Sequence, residues 1–297
     1  MFLQALGPPA RVAGPIPTVA PAEVPLAAAW DGKIAPPDPA LLEPSRSRPV
    51  TMLPRIGADG RLPRLVYRRP ASAPTRPRIA LLLVGLGLNV NDSRAAIEAL
   101  PGPVTLAFSA YAASPEALLD VARARGHEIM ASLPMEANGY PLNDAGSRSL
   151  LTGSSLAINR DNLEWALGRI QGFTGVTGAS DGLRGERFAE QTSSFALVQD
   201  ELVRRGLMYV DPRPGAAAPR MPGRSVDLVV DDPASRAEIE AKLAALERLA
   251  RERGAALGLA GPLRPVTVER IAAWAKDLDA RGFDLVPVSA LVTEPVP

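Results

Sequence analysis

From Arg78 onward, short runs of apolar residues alternate with longer stretches in which apolar positions recur every three or four residues. The runs are IALLLV (79–84), VTLAF (104–108), EIMASL (128–133), FTGVTG (173–178), LMYVD (207–211), VDLVV (226–230), AALGLA (255–260) and FDLVPV (283–288). Each has the length of a strand, and several are apolar throughout, as in strands covered on both faces. The stretches between them carry helix start signals: Asn91-Asp92 before SRAAIEAL, Ser114-Pro115-Glu116 before ALLDVARAR, and Ser235 with Glu238 before IEAKLAALERLARER. Four runs follow the same junction, a basic helix end and a glycine, at Gly126, Gly206, Gly254 and Gly282. Arginine suits the negative end of a helix dipole, and glycine suits the left-handed cap that turns the chain into the next strand. The pattern predicts an α/β fold, an irregular (β/α) barrel of about seven to eight mostly parallel strands, with an open doubly wound sheet as second choice. Either architecture puts functional residues beyond the C-terminal ends of the strands.

Residues 1–77 have a different texture. Sixteen of the 31 prolines fall there, and segments such as GPIPTVAPAEVP and APPDPALLEP have neither helical nor strand periodicity. This predicts a proline-rich, largely irregular linker or stalk over 1–77, in great part disordered, ahead of a barrel domain over 78–297. Leu53 to Val66 is expected to lie along the domain edge, with Ala58-Asp59-Gly60 as a turn.

Composition narrows the chemistry. A formal charge of +1, from 33 basic and 32 acidic residues, and an aromatic fraction of 4% give no basic field or stacking platform for nucleic acid. There is no cysteine, hence no disulfide, thiolate metal site or cysteine nucleophile, and His127 is the sole histidine. Hydrolytic zinc sites generally take two or three imidazoles. No apolar run reaches the ~18 residues that span a bilayer, and MFLQAL (1–6) is short for an export signal and has no basic start. Neither a cofactor nor a membrane-spanning segment is expected.

The strand ends hold the candidate residues. Val84-Gly85-Leu86-Gly87 closes the first run without a carboxylate, histidine or hydroxyl, and a dinucleotide fingerprint fails because Val90 stands where its third glycine belongs. The third run leads to Glu136 and Asp144, the fourth to Asp181, Arg184, Glu186 and Arg187, and the fifth to Asp211 and Arg213. These are the ligand-binding candidates, against the plainer reading of solvated or internally paired surface charges. Asp231-Asp232 reads as a turn before the Ser235 helix start, and Arg264 as the one charged side chain after the seventh run. His127 opens the third strand, at the opposite end of the barrel, and reads as structural. No serine has a histidine base in prospect, and no G-x-S-x-G turn is present.

In their order and spacing, RIALLLVGLGLN, GPVTLAFSAYA, ARARGHEIMASLPMEANGYPLND, LLTG, GVTG, RRGLMYVDPR and FDLVPVSALV resemble the divergent polysaccharide deacetylase family, a branch of metal-dependent carbohydrate esterases. The resemblance implies a distorted (β/α) barrel with its site at the strand C-termini. It also implies an aspartate pair at the end of strand one, where this chain has Val84 and Gly85. Histidines are implied where Ser132, Ala179 and Gly261 stand, while Glu136, Asp211 and Arg213 match the family pattern. Metal-dependent deacetylation needs ligands for the ion, a base for the water and an acid for the leaving amine. Losing the aspartates and imidazoles together removes those roles, so the expectation is a pseudoenzyme that binds a cell-wall glycan or an envelope protein through the old cleft. The alternatives are a hydrolase or deacetylase rebuilt on Glu136, Asp181, Glu186 and Asp211, and a structural role in which the proline-rich arm carries the interaction. The family's habit implies a periplasmic or cell-envelope location, with an anchor lost to a misplaced start or supplied otherwise. The sequence itself leaves the cytoplasm open.

Overall fold

In a computed structural model, which describes residues 30–71 and 73–294, all eight apolar runs enter one parallel sheet. Ahead of it lie an antiparallel pair, β1 (Leu42–Pro44) and β2 (Met52–Pro54), and a single helical turn, α1 (Pro63–Val66). The domain then runs β3 (Arg78–Leu86), α2 (Val90–Ala99), β4 (Thr105–Ser109), α3 (Glu116–Ala124), β5 (Ile129–Ser132) and α4 (Leu156–Leu167). It continues with β6 (Gly175–Thr177), α5 (Glu186–Glu190), α6 (Thr192–Arg204), β7 (Met208–Asp211), β8 (Gly223–Ser225) and β9 (Leu228–Val229). The last elements are α7 (Arg236–Arg253), β10 (Ala255–Ala260), α8 (Pro265–Lys276) and β11 (Asp284–Leu285).

Helix starts and stops follow local chemistry. Ser235 caps α7 through Glu238 N, and Asn89 caps α2 through the amides of Asn91 and Asp92, so that helix begins just ahead of its expected start signal. The four junction glycines all adopt the left-handed conformation, with φ of 77°, 66°, 80° and 84° at Gly126, Gly206, Gly254 and Gly282.

The strand order is β8-β7-β6-β5-β4-β3-β10-β9, with β11 paired to the start of β3. Arg78 of β3 is in register with Ala255 of β10 and with Asp284 of β11, so those two strands flank it on opposite sides. The two ends of the order, β8 and β9, are separated in sequence only by Val226 and Asp227, a link that spans ~10 Å at most. The sheet is therefore curled until its edges approach, a barrel left open by one missing ladder among the described residues.

Alternation along the strands divides the core in two. Ile79, Leu81 and Leu83 of β3, with Leu106, Phe108, Ile129, Val176 and Tyr209, point outward under the helices. Ala80, Leu82 and Val84, with Ala107, Met130, Met208, Val210, Leu257 and Leu259, point inward. Val286, Val288 and Leu291, from β11 and the turn after it, join this inner cluster and help fill the interior.

Residues 30–71 lie along the outside of the domain and bury Ile34, Leu41, Leu53 and Tyr67. Ile34 N donates to Arg123 O, Ser45 Oγ to Glu164, and the Arg205 guanidinium to Glu43, Glu201 and the Pro54 carbonyl. The segment returns at Arg69, whose amide donates to Glu128 at the N-terminal end of the barrel. Glu128 is buried and also accepts from Ser289 and Thr105; burial pushes its carboxyl above the ordinary range. Residues 1–29, where the expected stalk begins, lie outside the described residues.

Candidate functional site

The C-terminal end of β3 is apolar and closed over. Val84 is buried in the interior cluster, and the chain leaves it through Gly85 at φ +92°. A Cβ on Gly85 would lie 3.0 Å from Leu263 N, in a conformation that L side chains avoid. The loop after β10 supplies the cover: Gly261, at φ +139°, sits so close that an added Cβ would fall 2.3 Å from Val84 Cγ2. Asp231 holds that loop, its two oxygens accepting from Gly261 N at 3.0 Å and Oδ2 from Thr267 Oγ1 at 2.9 Å, and burial raises its carboxyl above the usual range. The loop after β6 leans on the same cover, where a Cβ on Gly182 would meet Pro262 Cδ at 3.0 Å. Ala179 is buried in the inner cluster.

Most of the anticipated charged residues pair with one another. Asp211 is 2% exposed and clasped by Arg213 through Nε at 3.0 Å, Nη2 at 2.7 Å and the backbone amide at 3.0 Å. Glu136 is buried, accepts from Thr152 N and Oγ1, and meets Arg187 Nε at 3.0 Å. It thereby ties the loop after β5 to α5. Arg184 is shared between Glu186 and Asp232 at 3.4 Å each. Asp181, at φ +46°, has no such partner among the described residues and faces a cleft instead.

That cleft, about 490 Å³, opens beside the covered end of β3. Ser109 at the end of β4 and Ser180 after β6 line it together with Tyr111, Asn143, Asp144 and Asp181, and Leu88, Leu142 and Leu183 add apolar surface. Gly146 N donates to Asp144 Oδ1 at 2.9 Å, and Tyr111 stacks on Trp165 with ring centroids 5.1 Å apart. Of the residues singled out in sequence, only Asp144 and Asp181 reach this cleft. Ser109, Tyr111 and Ser180 are brought in by strand register; the run VTLAFSAYA, which ends on Ser109 and Tyr111, was the available signal.

His127 lies at the other end of the barrel, buried, with Nδ1 2.8 Å from Val104 O and Nε2 3.2 Å from Ile97 O. The shorter contact assigns the proton of the neutral ring to Nδ1, and burial holds its pKa below the ordinary value.

A catalytic metal does not fit the residues present. Valine, glycine, alanine and glycine stand at 84, 85, 179 and 261, and among the described residues no three His, Cys, Asp or Glu side chains converge as an ion would need.

A parallel, curled barrel with a loop-lined cleft at its strand C-termini defines an α/β barrel protein of the carbohydrate-esterase kind. The divergent polysaccharide deacetylase model matches residues 82–292, and the chain belongs to that family. An uncharacterized protein from Agrobacterium tumefaciens C58 shares 34% identity with a TM-score of 0.76, covering 82% of this chain and 100% of its own. The catalytic domain of a peptidoglycan N-acetylglucosamine deacetylase from Eubacterium rectale ATCC 33656 shares the fold, at 12% identity and a TM-score of 0.51, over 76% of this chain and 94% of its own. No curated protein sequence matches.

Proposed function

We propose that this chain is a non-catalytic member of the divergent polysaccharide deacetylase family that binds an envelope glycan through the cleft at the strand C-termini. The observation that carries the reading is the closure of the β3 end: Val84 is buried, Gly85 adopts a glycine conformation, and Gly261 occupies the space above. Restoring one ligand there would not reopen the site, because backbone and not merely side chains fills it. A protein partner on the same cleft is a narrower variant of this reading. The family relation supports a periplasmic or envelope location, and we assign residues 1–29 to a stalk on composition alone.

The rebuilt-enzyme alternative asks for an acid and a base among Glu136, Asp181, Glu186 and Asp211. Three of these engage an arginine, which speaks against it.

Zinc titration calorimetry on the full chain, paired with a deacetylase assay on N-acetylglucosamine oligomers, tests the proposal. Flat heats and no released acetate are expected. One zinc bound per chain together with acetate release would overturn it.

A further inference from the structure

We propose that the cleft ligand is an oligosaccharide bearing free amino groups, so that the protein reads glycan that has already lost its acetyl groups. This rests on the glycan reading above and deepens it. Asp144 and Asp181 contribute two carboxylates to the cleft lining, which contains no arginine or lysine. The arginines of the surrounding loops are committed elsewhere: Arg148 to Asp161, Arg184 to Glu186 and Asp232, Arg187 to Glu136, and Arg213 to Asp211. A concave surface lined by one sign of charge concentrates the opposite sign. Its ligand is therefore cationic.

A second, independent feature points into the same space. Ala107 and Met130 face the barrel interior, so two residues further on Ser109 and Ser132 face the same side, nearer the open end. Ser109 lines the cleft, and Ser132, its register partner, is buried with no hydrogen-bond partner for its Oγ. A buried hydroxyl left alone costs free energy unless something completes it. With the Ser180 hydroxyl, the Asn143 amide and the Tyr111 ring, the lining offers donors and acceptors for sugar hydroxyls beside apolar surface for ring faces. An N-acetyl group would present a neutral amide to Asp144 and Asp181, whereas a protonated amine presents a cation with three donors.

The test is calorimetry on the full chain with three probes at mildly acidic pH: a glucosamine hexamer, the N-acetylglucosamine hexamer and hexalysine. The glucosamine hexamer is expected to bind at least about tenfold more tightly than its acetylated counterpart. Raising salt from ~20 mM to ~300 mM should erase most of that margin. The double variant Asp144→Asn, Asp181→Asn should bring the two sugars to parity with unchanged thermal stability. Asparagine preserves the acceptor for Gly146 N and tolerates the left-handed backbone at 181. Ser132→Ala, which loses no internal bond, should weaken the glucosamine hexamer. Equal binding of the two sugars by the wild type would overturn the charge assignment and leave the glycan reading standing. Binding of neither sugar would overturn both. Hexalysine binding as tightly as the glucosamine hexamer would reduce the cleft to an unselective acidic patch and overturn the proposal.

Discussion

Val84 is where a return to metal chemistry would have to begin. Its side chain is buried among Ala80, Leu82 and other inward residues, so Val84→Asp places a carboxylate where nothing pairs with it. The variant is expected to lose about 3–4 kcal/mol of stability by urea denaturation while its zinc calorimetry stays flat. Saturable zinc binding by it would mean that the site was one residue short of function. Glu136 and Arg187 make a sharper pair, at 3% and 55% side-chain exposure. Removing the arginine should cost less than about 1 kcal/mol. Removing the glutamate strands two donors of Thr152 and should cost about 2–4 kcal/mol. His127 sets the acid response. Its pKa is lowered from 6.5 by burial, so the stability it contributes is complete above that value. As pH falls from 6.5 toward the folded-state value, up to about 1.4 kcal/mol is lost per pH unit. Since the chain has one histidine, a single imidazole NMR signal reports this directly, and a ring titrating at its ordinary value would contradict the assignment.

Among the elements, strands with apolar side chains on both faces were legible in the sequence, and so were the glycine caps, because burial and left-handed backbone each demand particular residue types. β8 was not: Gly223-Arg224-Ser225 carries no apolar signal and is a strand only because β7 lies beside it. β1 and β2, at three residues each and ending in proline, look like the irregular chain around them. In the cleft, Asp181 and Asp144 could be named from sequence, but which arginine goes to which carboxylate is decided by loops that meet only in space. The loop after β10 shows the same dependence. Gly261→Ala should destabilise by about 2–4 kcal/mol, since its methyl would collide with Val84 and its φ suits glycine. An unchanged denaturation midpoint would show that the loop yields easily and is no fixed cover.

At the scale of the molecule, the segment written off in sequence as proline-rich chain is, from Trp30 to Ala71, part of the described structure. Deleting residues 30–71 should expose Leu41, Leu53 and the Arg205 site together, lowering the thermal midpoint by several degrees or preventing folding. An unchanged midpoint would make the segment dispensable.

The placement of β3 has a consequence for how the protein is made. It is the first strand of the barrel to be synthesised, yet its flanking neighbours at Arg78, β10 and β11, are translated about 180 and 200 residues later. Val286, Val288 and Leu291 then complete the interior from the same late stretch. The barrel cannot close vectorially as the chain emerges. Until that stretch arrives, the growing polypeptide carries an open sheet edge and an unfilled centre, the surfaces on which a holding chaperone would act.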